Sequence, residues 1–224
     1  MPLQTIEIET AANPRHAVIW LHGLGADGHD FEPIVPQLVD RAWPALRFVF
    51  PNAPVRPITI NGGMAMRAWY DISGLEIAQR QDETGIRESI RLVGELIEGE
   101  VARGVAAQNI LLAGFSQGGA VVLGGGVRYP QRLGGIIALS TYLPLAEKTD
   151  AEATPANRDV PVFMAHGMLG PTISHALGEM SRDYLAQRGY NVEWHAYPMA
   201  HQVCAEEIAD LKRWLNARLS QPAA

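Results

Sequence analysis

Short apolar runs alternate with amphipathic stretches along this chain. The runs are His16–Leu21, Leu46–Phe50, Asn109–Ala113, Gly135–Leu139 and Val160–Ala165, each bounded by Gly, Pro or Asn. Continuous runs of this length, rich in β-branched residues, predict strands buried on both faces. Val192–Tyr197 differs: Val192, Trp194 and Ala196 alternate with Glu193, His195 and Tyr197, which predicts an edge strand. Between the runs, Ile86, Ile90, Val93, Ile97 and Val101 recur at three- and four-residue spacing and predict a helix. Thr84 is its expected cap, with Asp82 and Glu83 at the positive end of the dipole. Ile208, Leu211, Leu215 and Leu219 form a similar stripe near the C-terminus. Strand and helix alternating in this way predict an α/β fold: a mostly parallel central sheet with helices on both faces. Ligands of such sheets bind beyond the carboxyl ends of the strands, so chemistry is expected just after each run.

Composition narrows the picture. The 224 residues show no repeat and no break between composition regimes, so residues 1–224 are expected to form a single domain. An apolar fraction of 47% with 19% charged residues excludes wholesale disorder. With 24 acids against 18 Lys and Arg the net charge is −6, and no basic run exists, which argues against nucleic acid as a partner. Cys204 is the single cysteine and cannot form an internal disulfide, and the opening ten residues carry Glu7 and Glu9 with no apolar leader segment; the expected compartment is the cytoplasm. The uncharged stretch from Gly104 to Val127 holds seven glycines as well as Gln108, Asn109, Ser116 and Gln117, too polar and glycine-rich for a membrane span. His16, His22, His29, His166, His175 and His195 lack metal-ligand spacing, so no metal is expected.

Gly114-Phe115-Ser116-Gln117-Gly118 follows the third run and precedes a helix-like segment that stops at Pro130. The G-x-S-x-G pattern by itself is weak, but a strand before it and a helix after it are what a nucleophile elbow requires. A serine in so tight a turn needs neighbours two residues away without side chains, and Gly114 and Gly118 supply them. The helix starting at Gln117 also aims its first amides at any oxyanion near Ser116. The other reading is an ordinary serine in a glycine-rich turn. After the first run comes His22-Gly23-Leu24-Gly25, where this fold class places a second backbone donor; Leu24 and Gln117 N–H would form the oxyanion hole. Alone, that segment is as readily a plain turn with His22 packed in the core. His201, in Tyr197-Pro198-Met199-Ala200-His201 before the last helix, comes after the nucleophile in the chain order that a hydrolase base requires.

Several longer segments resemble one family over nearly the whole chain. Leu21-His22-Gly23-Leu24-Gly25-Ala26-Asp27-Gly28, Phe50-Pro51-Asn52-Ala53-Pro54-Val55-Arg56-Pro57, Arg67-Ala68-Trp69-Tyr70-Asp71, Ala113–Ala120, Leu139-Ser140-Thr141-Tyr142-Leu143-Pro144-Leu145 and Met199-Ala200-His201 are similar to the carboxylesterase and acyl-protein thioesterase (phospholipase/carboxylesterase) family of small α/β-hydrolases. The resemblance implies the α/β-hydrolase fold and hydrolysis of a small-molecule acyl ester, or an acyl thioester, by a Ser-His-Asp triad with no metal or cofactor. Ser116 would be the nucleophile and His201 the base. The resemblance also admits a homodimer, which no sequence feature demands. Leu24, Met66, Trp69, Phe115, Tyr142 and Leu143 fall near expected strand ends and are candidates to line an apolar acyl site, Trp69 first because the resemblance puts it by the pocket. Packing in the core is the competing reading for each.

At the third triad position the chain departs from the family. The acid is expected in a Gly-x-x-Asp-Pro loop after the last strand but one, and here the loop reads His166-Gly167-Met168-Leu169-Gly170-Pro171. With Gly167 and Pro171 fixing the register, Gly170 stands where the acid belongs. The nearest carboxylates are Asp159, at the wrong end of the strand, and Glu147, Asp150, Glu179 and Glu206. Three readings follow: an esterase of reduced activity, a catalytically silent binding module for a small acyl or aromatic ligand, and an active enzyme with a relocated acid. Retention of Ser116, its two flanking glycines, His201 and the Leu24 turn favours the first.

Overall fold

The computed structural model describes residues 3–74, 81–170 and 172–220. Its strands are β1 (Thr5–Glu9), β2 (His16–Leu21), β3 (Leu46–Pro51), β4 (Val55–Ile58), β5 (Met64–Arg67), β6 (Ile110–Phe115), β7 (Gly135–Leu139), β8 (Pro161–Gly167) and β9 (Asn191–Tyr197). The helices are α1 (Val35–Leu38), α2 (Glu83–Ala102), α3 (Gln117–Arg128), α4 (Ala146–Glu152), α5 (His175–Gln187) and α6 (Ala205–Leu219). Seven strands form the main sheet in the order β1-β3-β2-β6-β7-β8-β9; only the β1–β3 pairing is antiparallel.

The apolar runs are strands because both faces of the sheet are covered. In β2, Ala17, Ile19 and Leu21 point into one core while Val18 and Trp20 point into the other. β6 repeats the division, with Ile110 and Leu112 on one side and Leu111 and Ala113 on the other. Helices α2 to α5 lie over the first face and α1 and α6 over the second. The sixth run is an edge strand as its alternation predicts: β9 pairs only with β8. No described helix is long and apolar enough to cross a membrane.

Several sequence expectations need correction. Asp82, not Thr84, caps α2, its carboxylate accepting from Gly85 N–H at 2.9 Å and also from Asp71 N–H at 2.9 Å. A carboxylate that can serve two amides outcompetes a hydroxyl two residues further in. Val101, the last member of the predicted stripe, is exposed, and its neighbour Glu100 is the buried residue of the last turn, bonded to Arg47 of β3. β1 and the β4–β5 hairpin were not expected. β1 is half-buried, with Ile6 and Ile8 facing the core, and the hairpin stands apart from the main sheet.

Glu207, in the first turn of α6, is fully buried, and neither carboxyl oxygen makes a hydrogen bond among the described residues. It occupies the capping-box position relative to Cys204, close to that residue's N–H but outside hydrogen-bonding geometry. Burial pushes its pKa up to about 8.

Candidate active site

Ser116 is the single residue between β6 and α3. Ser116 occupies φ 56° and ψ −120°, a left-side conformation that a non-glycine residue holds only when its surroundings enforce it. Here three hydrogen bonds do so: Ser116 N–H donates to Leu139 O at 2.9 Å, and Ser116 O accepts from Ala120 N–H at 3.0 Å and from Thr141 Oγ1 at 2.7 Å. A Cβ on Gly114 would come within 2.5 Å of Gly118 C and O, and one on Gly118 within 2.5 Å of His22 O. Strand, elbow and the β2 turn therefore touch through backbone, which is the steric need that the two glycines meet.

The turn after β2 lies against the serine. A Cβ on Gly23 would stand 3.5 Å from Ser116 Cβ and 3.3 Å from Phe115 Cδ1. Gly25 holds a left-handed φ of 77° and donates its N–H to Arg67 O at 2.9 Å. Among the described residues, neither Leu24 N–H nor Gln117 N–H has a hydrogen-bond acceptor. His22 is a core residue: Nε2 accepts from Ala53 N–H at 3.1 Å and Nδ1 lies 2.7 Å from Gly23 O. Burial, partly opposed by that backbone bond, lowers its pKa and keeps it neutral.

His201 reaches the elbow from the loop after β9. Its Nε2 is 2.8 Å from Ser116 Oγ. Neighbouring backbone places it: Met168 N–H donates to Tyr197 O at 2.9 Å and Leu169 N–H to Met199 O at 3.0 Å, locking the loop after β8 to the one after β9. Gly170 lies in that seam. A Cβ on it would fall 3.1 Å from His201 N and 3.5 Å from His201 Cβ. Pro171, the second mark of the register, is outside the described residues. Among the described residues no carboxylate bonds to His201 and its Nδ1 makes no hydrogen bond. Burial, with a smaller contribution from His166, pushes the pKa of His201 down to about 4.

The other carboxylates considered from sequence are engaged elsewhere. Asp159 pairs with Arg132, Asp150 with Arg188, and Glu179 with His175 and Arg182. Glu206 sits beside Cys204, and Glu147 opens α4.

The expected apolar lining is corrected by burial. Trp69, Tyr142 and Leu143 are 0%, 2% and 3% exposed and belong to the core, so they support the site from behind. Trp69 Nε1 donates to His22 O at 2.9 Å, and the hydroxyls of Tyr142 and Tyr70 lie 3.0 Å apart. Met66 and Phe115 are partly exposed; Met66 Sδ would be 3.7 Å from a Cβ on Gly25, while Phe115 packs on His201 with ring centroids 4.8 Å apart.

Two supports escaped the sequence reading. The Gln117 side chain accepts from Trp69 N–H at 2.7 Å and donates to Tyr70 O at 2.6 Å, stapling the segment after β5 to the elbow. Thr141 buttresses Ser116 from the end of β7. Their only sequence signal was membership of the motifs at Gln117 and Ser140-Thr141, since their partners are far away in the chain.

Residues 3–219 match the phospholipase/carboxylesterase family profile. The chain is 40% identical to acyl-protein thioesterase 1 of Neurospora crassa over 96% of this chain and 92% of that one. Its fold superposes on the crystal structure of Arabidopsis thaliana SOBER1 with a TM-score of 0.86 at 30% identity, covering 92% of this chain and 99% of that one. For Zea mays acyl-protein thioesterase 2 the TM-score is 0.85 at 26% identity, over 96% and 99% of the two chains. The fold is therefore that of an α/β-hydrolase, and the chain belongs to the phospholipase/carboxylesterase family.

Proposed function

We propose that this protein hydrolyses carboxylic esters and acyl thioesters, with Ser116 as nucleophile and His201 as general base, and that it does so slowly because Gly170 replaces the triad acid. The observation that carries the reading is the 2.8 Å approach of His201 Nε2 to a serine held at φ 56° in a strand-to-helix turn. A module that only binds a ligand has no use for that strain or that pairing.

In the reaction, Ser116 Oγ attacks the acyl carbon while its proton passes to His201 Nε2. The carbonyl oxygen becomes an oxyanion, received by Leu24 and Gln117 N–H, both without another acceptor among the described residues. As the tetrahedral intermediate collapses, the bond to the leaving group breaks and His201 returns the proton to it. Water then attacks the acyl-serine by the same steps, releasing the carboxylic acid and restoring the serine. Met66 and the Leu24 side chain, both partly exposed at the Gly23–Gly25 turn, would receive the acyl chain.

The absent acid shapes the expected substrates. A triad acid fixes the imidazole and stabilises imidazolium; disabling it in serine proteases lowers kcat by ~10⁴. The oxyanion donors still leave ~10³–10⁴ over water in such systems. Thiolate and phenolate groups depart with little help from an imidazolium, so thioesters and aryl esters should turn over faster here than alkyl esters. A fluorophosphonate tests the reading directly: it should add to Ser116, slowly, as seen by peptide mass. Absence of the adduct after long exposure would overturn the proposal in favour of the binding module.

A further inference from the structure

His201 is tied to Ser116 through Nε2 alone, and an imidazole ring turns readily about its last side-chain bond. With no hydrogen bond at Nδ1 among the described residues, something other than a polar partner must fix the plane of the ring. Phe115 is the group that meets it. The two rings have centroids 4.8 Å apart and planes tilted by 40°. Behind Phe115 stands Phe31, at 5.7 Å, and Phe31 is stacked on Trp20 at 5.1 Å and 24°. All three separations lie in the range favoured by aromatic pairs. Trp20 is buried in β2 and Phe31 is buried just before α1, so the column is anchored at its far end. Gly23 closes the remaining side, since even a Cβ there would stand 3.3 Å from Phe115 Cδ1.

We propose that Phe115 is a positioning residue for His201: its ring, backed by Phe31 and Trp20, holds the imidazole in line with Ser116 and faces the positive charge that forms there. The inference rests on the Ser116–His201 reading above. When the Ser116 proton moves to Nε2, the imidazolium lies within ~6 Å of the Phe115 ring centre, inside the range over which an aromatic face attracts a cation. Orientation and charge stabilisation are the two duties of a triad acid. In this chain both fall to packing and to the ring quadrupole.

A double-mutant cycle tests the proposal. The native chain, Phe115→Leu, Gly170→Asp and the combined variant are assayed for kcat and KM on a short-chain p-nitrophenyl ester. Phe115→Leu should lower kcat about 10-fold in the native background with KM nearly unchanged, because the aromatic face contributes only to the charged state. Once an aspartate orients the imidazole, the same change should cost less than about 2-fold. Phe115→Tyr, which keeps the ring, should retain most of kcat in the native background, and Phe115→Met serves as the ring-less variant if the leucine variant does not fold. Equal losses in both backgrounds, a loss confined to KM, or a Tyr variant as slow as the Leu variant would overturn the role. Ser116→Ala separates the two levels of inference. Activity that survives it removes the Ser116–His201 reading itself, whereas Ser116-dependent activity with an additive cycle removes only the role of Phe115.

Discussion

Gly170→Asp should raise kcat for ester hydrolysis by two to four orders of magnitude, up to the ~10⁴ that the acid is worth in serine proteases. The site can take the change with a small shift of its neighbours. A Cβ at this position meets His201 N at 3.1 Å and Ala200 C at 3.4 Å, so the seam must give by a few tenths of an ångström, and the Gly170 backbone is not left-handed. The side chain would start 3.5 Å from His201 Cβ, alongside an imidazole whose Nδ1 makes no hydrogen bond among the described residues. The pH profile should change with the rate. In the native chain burial holds the His201 pKa at about 4, so the base stays deprotonated and kcat/KM should be flat from pH 8 down to about 5. A carboxylate beside the ring favours imidazolium and raises that pKa, so the acid limb of the variant should move to higher pH. Formate should accelerate the native chain and leave the variant unchanged, because a small carboxylate can do from solution what the aspartate does in place. An unchanged kcat in a variant whose Ser116 still takes the fluorophosphonate would sink the missing-acid account.

How much of this could be read from the sequence depends on the range of the interactions involved. β2, β3, β6, β7 and β8 announce themselves because burial on both faces demands unbroken apolar runs. β1 obeys a different rule: as an antiparallel edge it buries only Ile6 and Ile8, an alternation easily passed over between Thr5, Glu7 and Glu9. β4 carries Pro57 and pairs only with β5, so it resembles a loop. Within the site, Ser116 and its two glycines were legible because an elbow is a local structure with a fixed spacing. His201 was legible by its place in chain order. Trp69 and Tyr142 were misjudged because their burial is decided by partners at His22 and Tyr70, far off in the chain. Phe115, a candidate from sequence to line the site, also packs on His201. Its neighbour is a histidine 86 residues later, and nothing in a linear pattern shows which face of a ring is already taken.

The largest expected effect on stability lies outside the site, at Glu207. In the folded chain its pKa is about 8, whereas the unfolded chain has the ordinary value of 4.5. Between those values the folded state holds a proton that the unfolded state has released, so stability falls as pH rises from 4.5 to 8 and is flat beyond. At ~1.4 kcal/mol per unit the cost is about 3 kcal/mol at pH 7 and about 5 kcal/mol above pH 8. Glu207→Gln keeps the shape of the protonated side chain and cannot ionise in either state. It should therefore leave stability nearly unchanged at pH 4.5 and raise Tm by roughly 6–12 °C at pH 7, given about 2–4 °C per kcal/mol for a chain of this size. Glu207→Met removes the unpaired polar group as well, and should add a further gain of about 1–3 kcal/mol at every pH. Thermal unfolding of the three proteins between pH 4.5 and 9 distinguishes the two effects. A Gln variant with the same advantage at pH 4.5 as at pH 8 would show that ionisation of Glu207 is not what costs the native chain its stability. The absence of any advantage at pH 8 would mean that the buried carboxylate finds a partner when it ionises. The expected outcome, a pH-dependent gain for Gln superimposed on a constant one for Met, would mark Glu207 as a group that the fold tolerates only in its neutral form.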